Sequence, residues 1–187
     1  MTEAEFVAAV LRNPVNAAIL ARLDELDVDD AWLVSGALFQ TVWNGITGRA
    51  PEHGIRDYDL FYFDPETSWD AENAVIARAR DVFRDVDAVL EIRNQARVHL
   101  WYEAKFGMPY PPLARTTDGI DRFLMPCAQV GICRNSEGYR VYAPRGFDDI
   151  ARMIVRPNRT PNFRQSAYLE KAERWKTLWP EITIFPA

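Results

Sequence analysis

No stretch of this 187-residue chain stays apolar for the roughly 18 to 20 residues that a membrane-spanning helix requires. Its first residues, MTEAEFVAAVLRNP, carry acid where a secretory leader would carry base. The expectation is a soluble, cytoplasmic protein with no membrane partner. Cysteine is scarce: Cys127 and Cys133 cannot frame a disulfide-stapled fold and supply too few ligands for a zinc centre, so both read as small core residues. With 9 glycines and 12 prolines, low complexity and long disorder are excluded. Positive charge is also short, with 22 Lys and Arg against 27 Asp and Glu and a net charge of −5. That balance disfavours a long nucleic acid, whose backbone is held by clustered Lys and Arg. The charge is uneven, however. From Tyr139 onward nine basic residues face five acidic ones, so this tail is +4 and the remainder −9. An anionic substrate could sit between an acidic half that carries metal and this basic half.

What is present is a globular composition, 48% apolar and 26% charged, at a length typical of one domain. Apolar spacing predicts two helices over 4–26, broken at Asn13-Pro14, and a buried strand over 31–34 closed by Ser35-Gly36. A helix over 38–46, a strand over 57–63, a helix over 71–83 and a strand over 86–93 follow. Residues 96–106 favour a helix, with a continuing strand as competitor, and 117–124 a short helix. AQVGICR and YRVYAP, joined through Asn135, Ser136, Glu137 and Gly138, predict a hairpin; helices at 147–155 and 163–178 finish the chain. The fold class is α+β: a small mixed β-sheet with flanking helices, then a C-terminal hairpin and helices. The expected organisation is one domain over 1–187, with a helical lead-in (1–28), a central core (29–107) and the hairpin with its helices (108–187).

Asp57-Tyr58-Asp59 is the strongest chemical signal. Side chains alternate along a strand, so both carboxylates leave one face with Cα atoms about 6.5 Å apart. Such a pair resists double ionisation unless a cation lies between the carboxylates, and its hard oxygens suit Mg²⁺ or Mn²⁺. Upstream, Ser35-Gly36 opens a helix whose free N–H groups and dipole favour a phosphate. Downstream, Glu91 lies between Leu90 and Ile92; it reads either as a carboxylate needing a metal or Arg93, or as an ordinary solvent-facing strand position.

A glycine opening a helix, then D-x-D on a strand, then an acid between apolar residues on a third strand, resemble the nucleotidyltransferase superfamily of polymerase-β-like fold. WLVSGALFQTVWN, IRDYDLFYFD, VLEIRNQARVHLWYEAKFG and YAPRGFDDIARMIVRPN with a terminal WKTLWP are similar to a bacterial nucleotidyltransferase group once classed as a domain of unknown function. The resemblance implies divalent ions held by Asp57 and Asp59 with Glu91 as third carboxylate, and phosphates contacted by Ser35 and Gly36. It implies in-line attack on the α-phosphorus of a nucleoside triphosphate such as ATP, with release of pyrophosphate. The acceptor would be a small-molecule or protein hydroxyl. Two departures stand out: the interval from Gly36 to Asp57 demands an inserted loop near 48–55, and Ala37 lacks the side-chain hydroxyl the family offers there.

Other residues keep two readings. Arg145, in Pro144-Arg145-Gly146, is the first choice for a triphosphate contact, since its fork is bidentate, against simple solvation. Arg56 reads as a bridge to a neighbouring carboxylate, Arg97 and His99 as pocket residues only if their segment bends back, and Asn94 and Gln95 as base contacts or helix caps. Trp32, Trp43, Trp101, Trp175 and Trp179 read as core packing. Asn158-Arg159-Thr160 matches a glycosylation sequon, discounted in a chain without a leader. An inactive nucleotide-binding or protein-interaction module of the same fold is the alternative to the transferase, and a metal-dependent hydrolase a narrower third.

Overall fold

A computed structural model describes all 187 residues. The chain opens with α1 (Glu3–Val10), started by a reciprocal cap in which the Glu5 N–H donates to Thr2 Oγ1 and the Thr2 N–H to the Glu5 carboxylate. Asn13 then caps α2 (Pro14–Ala21), its Oδ1 accepting the Val15 and Asn16 N–H groups while Pro14 takes the first helical position. The same amide donates to the Tyr58 hydroxyl at 3.2 Å, which ties the lead-in to the central strands. No single helix in the chain is long and apolar enough to cross a membrane.

β1 (Trp32–Val34) runs into α3 (Gly36–Ile46), β2 (Tyr58–Tyr62) into α4 (Trp69–Val82), and β3 (Leu90–Asn94) through a 3₁₀ turn over 95–97 into α5 (Val98–Phe106). A short α6 (Thr116–Ile120) leads to the hairpin β4 (Gly131–Asn135) and β5 (Gly138–Tyr142). The five strands form one sheet in the order β3-β2-β1-β4-β5, with only the β2·β3 pair parallel. A parallel pair needs a crossover, and α4 supplies it.

Register divides the sheet into two faces. Ile92, Leu60, Leu33, Ile132 and Val141 lie side by side across the five strands, and the first four are buried. One residue along each strand, Glu91, Asp59, Val34, Gly131 and Tyr142 form the neighbouring row and leave by the opposite face. Residues 116–125 roof this second face over the β1, β4 and β5 side. Ile120 approaches so closely that a Cβ on Gly131 would stand 2.7 Å from its Cδ1, and the Tyr142 hydroxyl bonds Asp121 at 3.0 Å. The segment reaches β2 where Phe123 stacks on Phe61 at 5.6 Å, and beside that pair a cleft remains, into which Asp57, Asp59 and Arg93 face.

α7 (Asp148–Ala151), β6 (Ile154–Val155), α8 (Gln165–Leu178) and β7 (Thr183–Ile184) complete the chain. Phe39 and Trp43 of α3 meet Trp175 of α8 edge-on at 4.9 and 5.9 Å, and Trp179 donates its indole N–H to Asn44 at 2.8 Å. This aromatic seam fixes α8 beside the sheet.

Several expected boundaries move. The third strand starts at Leu90 rather than 86, because the Val86 and Ala88 N–H groups are used in turns and partners exist only where β2 offers a ladder. The helix expected over 147–155 stops at Ala151, since Met153 adopts φ 52°; Ile154–Val155 instead pairs in parallel with Thr183–Ile184 in a second, two-stranded sheet. The helix at 117–124 ends at Ile120, as the Asp121 and Phe123 carbonyls turn to accept the Asn158 amide. That amide is thereby buried in structural bonds. Both cysteines are buried and unpaired, as expected.

The loop at 48–55 is packed rather than free. Asn44 donates to the Pro51 and His53 carbonyls at 2.9 Å, and Gly54, at φ +73°, lies where a Cβ would stand 2.7 Å from the Trp179 ring. Gly48 shares the positive φ, at +68°, but has open space around it. Gly48→Ala is therefore expected to cost about 1 kcal/mol, the backbone strain alone, and Gly54→Ala about 2 kcal/mol or more. Urea denaturation of the two variants checks this; equal losses would show that Trp179 yields freely.

Candidate active site

The cleft has a volume of about 320 Å³ and is floored by β2 and β3, with α5, residues 119–125 and α8 around it. Asp57, Asp59 and Phe61 enter it from the outward face of β2 and Arg93 from β3, while Ser35 and Gly36 stand at its edge. Alternation along β2 explains the arrangement: Tyr58, Leu60 and Tyr62 are buried in the core, so the residues between them must face the cleft.

Glu91 lies in register with Asp59, on the adjacent strand and the same face. It is not among the residues lining the cleft; its carboxylate is partly exposed and contacts the Arg93 guanidinium at 3.3 Å, the arginine partner that the sequence offered. Asp59 feels both of the other acids. Burial first, then the charges of Asp57 and Glu91, push the Asp59 carboxyl up to about 7, against smaller opposing pulls from Lys171 and Arg93. No three His, Cys, Asp or Glu side chains are gathered closely enough to enclose a metal by themselves. The donor set is nonetheless all oxygen and electrostatically short of a cation. Mg²⁺ and Mn²⁺ are the ions that take few carboxylates and complete their shells with water and phosphate.

Ser35 has φ 57° and ψ −115°, an uncommon backbone for a residue with a Cβ. Its N–H donates to the Val130 carbonyl at 2.8 Å, which pins the strand-to-helix turn to the start of β4, and its side chain makes no capping bond. The first N–H groups of α3, beginning with Gly36, have no acceptor within the helix. Gln40, one turn on, is buried and lines the same wall with its Oε1 unpartnered.

α8 forms the opposite wall. Ala167, Lys171 and Arg174 fall at helical spacing on its cleft side, while Tyr168, Ala172 and Trp175 enter the core. Burial first and the nearby Arg56 second lower the pKa of Arg174, and Asp57 opposes them. Arg122 and Arg164 add two further cations to the lining.

Not every expected residue is brought here. Arg145 is exposed in the turn after β5, outside the cleft, close to Phe147, whose ring stacks on Phe6 of α1 at 4.8 Å. Arg56 is exposed and makes no ion pair with a carboxylate. Arg97 turns away into a buried ion pair with Glu72, lies over the Trp69 ring and donates to the Thr67 carbonyl; His99 is also outside the lining. Asn94 is a cap, accepting the Ala96 and Asp64 N–H groups, whereas Gln95 does line the cleft. Of the tryptophans read as core, Trp32, Trp43, Trp175 and Trp179 are buried, but Trp101 is half-buried in the cleft wall. Arg122, Tyr102, Phe106, Tyr110 and Asn162 carried no sequence signal; only the positive excess of the tail pointed toward Arg164, Lys171 and Arg174.

Residues 21–184 match the family model described as nucleotidyltransferase. The whole chain superposes on 97% of an NMR structure described as revealing a CCA-adding enzyme head domain, with a TM-score of 0.79 and 25% identity. No curated protein matches the chain.

The raised Asp59 carboxyl has a consequence for metal-free protein. Between about pH 4 and 7 the unfolded chain has released this proton while the folded chain keeps it, so stability falls as pH rises through that window and then levels. In EDTA, Asp59→Asn should match the parent near pH 4 and exceed it at pH 8 by on the order of 2 kcal/mol. Parallel thermal-melt profiles for the two proteins would show that Asp59 carries no such penalty.

Proposed function

The chain belongs to the nucleotidyltransferase family, and we propose that it transfers a nucleoside monophosphate from a triphosphate to the hydroxyl of a small molecule or protein, with Asp57 and Asp59 holding a divalent ion. The observation that supports this reading is the meeting, in one cleft, of an acidic strand face with the opening of α3 and the basic side of α8. The net charge of −5 argues against a long nucleic acid as acceptor.

In this mechanism Ser35 and the free N–H groups at the start of α3 bind phosphate oxygens, helped by the helix dipole. Lys171 and Arg174 neutralise the triphosphate from the far wall, placing its α-phosphorus over β2. When bound, Mg²⁺ or Mn²⁺ would offset charge on the phosphates and acidify the acceptor hydroxyl. Asp57 and Asp59 would be its protein ligands with Glu91 as third carboxylate, and the hydroxyl proton would pass to one of these carboxylates. The hydroxyl oxygen forms a bond to the α-phosphorus, the bond from that phosphorus to the bridging oxygen breaks, and pyrophosphate leaves with the electron pair. Arg145 has no part in these steps.

Thermal melts with each of the four nucleoside triphosphates, with and without Mg²⁺ or Mn²⁺, test the reading. A triphosphate at about 100 times its Kd should stabilise the parent by about 2.7 kcal/mol, and only with metal. Asp57→Ala and Asp59→Ala should abolish that shift while keeping the fold. Variants that bind ATP and Mg²⁺ as the parent does would sink the metal assignment, and a parent that shifts without labelling any acceptor would favour the inactive module.

A further inference from the structure

The end of the cleft away from the acidic pair is built for something besides a triphosphate. The Arg122 guanidinium lies 5.7 Å from the Tyr110 ring centre, Tyr110 lies 4.3 Å from Tyr102, Tyr102 lies 4.7 Å from Phe106, and Phe106 lies 5.4 Å from the Arg164 guanidinium. Asn162 closes the ring, its amide donating to the Tyr102 hydroxyl and to the Arg122 carbonyl at 3.2 Å each. All six residues line the cleft. Neither arginine pairs with a carboxylate; the polar contact of Arg164 is the Phe106 carbonyl at 3.4 Å. Asn162 is 4% exposed, and its Oδ1 has no partner.

We propose that this ring of residues is the acceptor subsite, and that the acceptor is a small molecule with a flat apolar body and a carboxylate or phosphate group. The inference rests on the transferase reading of the cleft, and it follows from what that reading leaves over. Lys171, Arg174 and the start of α3 already answer the triphosphate, so two cationic forks remain beside aromatic rings. Guanidinium forks recognise an oxyanion bidentately, aromatic walls take a planar body, and an unpartnered buried amide oxygen takes a hydroxyl or amine donor. The two ends of the cleft are joined. Phe61, two residues after Asp59 on the same face, stacks at 5.6 Å on Phe123, the neighbour of Arg122. An acceptor anchored on the arginines thus extends its hydroxyl along this stacked pair toward the α-phosphorus. Its oxygen gains the nucleotidyl group, its proton leaves by the carboxylates, and pyrophosphate departs.

Calorimetry with phenyl phosphate, benzoate and neutral benzyl alcohol, on the full chain with and without Mg²⁺ and a non-hydrolysable ATP analogue, tests this. At least one aryl anion should bind about tenfold or more tightly than benzyl alcohol, and the better of the two identifies the group recognised. Arg122→Gln and Arg164→Gln should each erase that preference while nucleotide affinity stays within about twofold of the parent, a readout that also shows the variants folded. Aryl anions that bind no better than benzyl alcohol would overturn the subsite, as would anions that displace the nucleotide or arginine variants that lose it. Failure of the nucleotide to bind at all would strike the transferase reading instead, because the arm without nucleotide reads the subsite separately.

Discussion

Mutual repulsion among carboxylates on one sheet face is the constraint around which the rest of this protein is arranged. Asp57 immediately precedes β2, Asp59 lies two residues on within it, and Glu91 stands in register with Asp59 on β3. Burial first, and then the charges of Asp57 and Glu91, leave Asp59 with a carboxyl raised to about 7. A fold tolerates such a set where it can supply counter-charge without collapsing onto it. Here the counter-charge comes from Lys171 and Arg174 across an open cleft and from Arg93 on β3, which pairs with Glu91, and not from direct ion pairs with the aspartates. The field is therefore available to a ligand carrying both signs, such as a metal with a polyphosphate.

Holding that charge at a distance is a packing problem, and aromatic residues solve it. α8 carries the basic side chains, yet its position is set on its other side by Trp175 against Phe39 and Trp43. Trp179, just past the helix, bonds to Asn44, and Asn44 in turn holds the loop before β2 through the Pro51 and His53 carbonyls. One small cluster thus places both the acidic strand's approach and the basic wall. On the opposite side, residues 116–125 cover β1 and β4, where Gly131 lets Ile120 come close, and reach β2 where Phe123 stacks on Phe61. The cleft is where the roof ends.

Much of this was legible in the order of residues. Period-two alternation set both aspartates on one face, and the break at Asn13-Pro14 and the turn at Ser35-Gly36 marked helix boundaries that the structure keeps. Local rules sufficed because each of these features is decided within a few residues by backbone geometry. The motif order from Gly36 through Asp59 to Glu91 likewise pointed to the family that the match over 21–184 shows. Boundaries that depend on a distant partner were not legible. Leu90 opens a strand only because β2 lies beside it, and Ile154–Val155 is a strand only because Thr183–Ile184 returns to it.

The same division holds for the site. The sequence by itself determined the fold class, the acidic pair and the helix that opens beside it, since spacing along one strand or one turn fixes which way a side chain leaves the backbone. Only the tertiary structure decided which of the tail's cations matter: Arg164, Lys171 and Arg174 face the cleft while Arg145 does not. It also decided that Arg97 serves Glu72, and that Trp101, Tyr102, Phe106 and Tyr110 wall a cavity instead of filling a core. The physical reason is that charge and aromatic surface act through space, and which groups come within a few ångströms across a cleft is set by the packing of helices far apart in the chain.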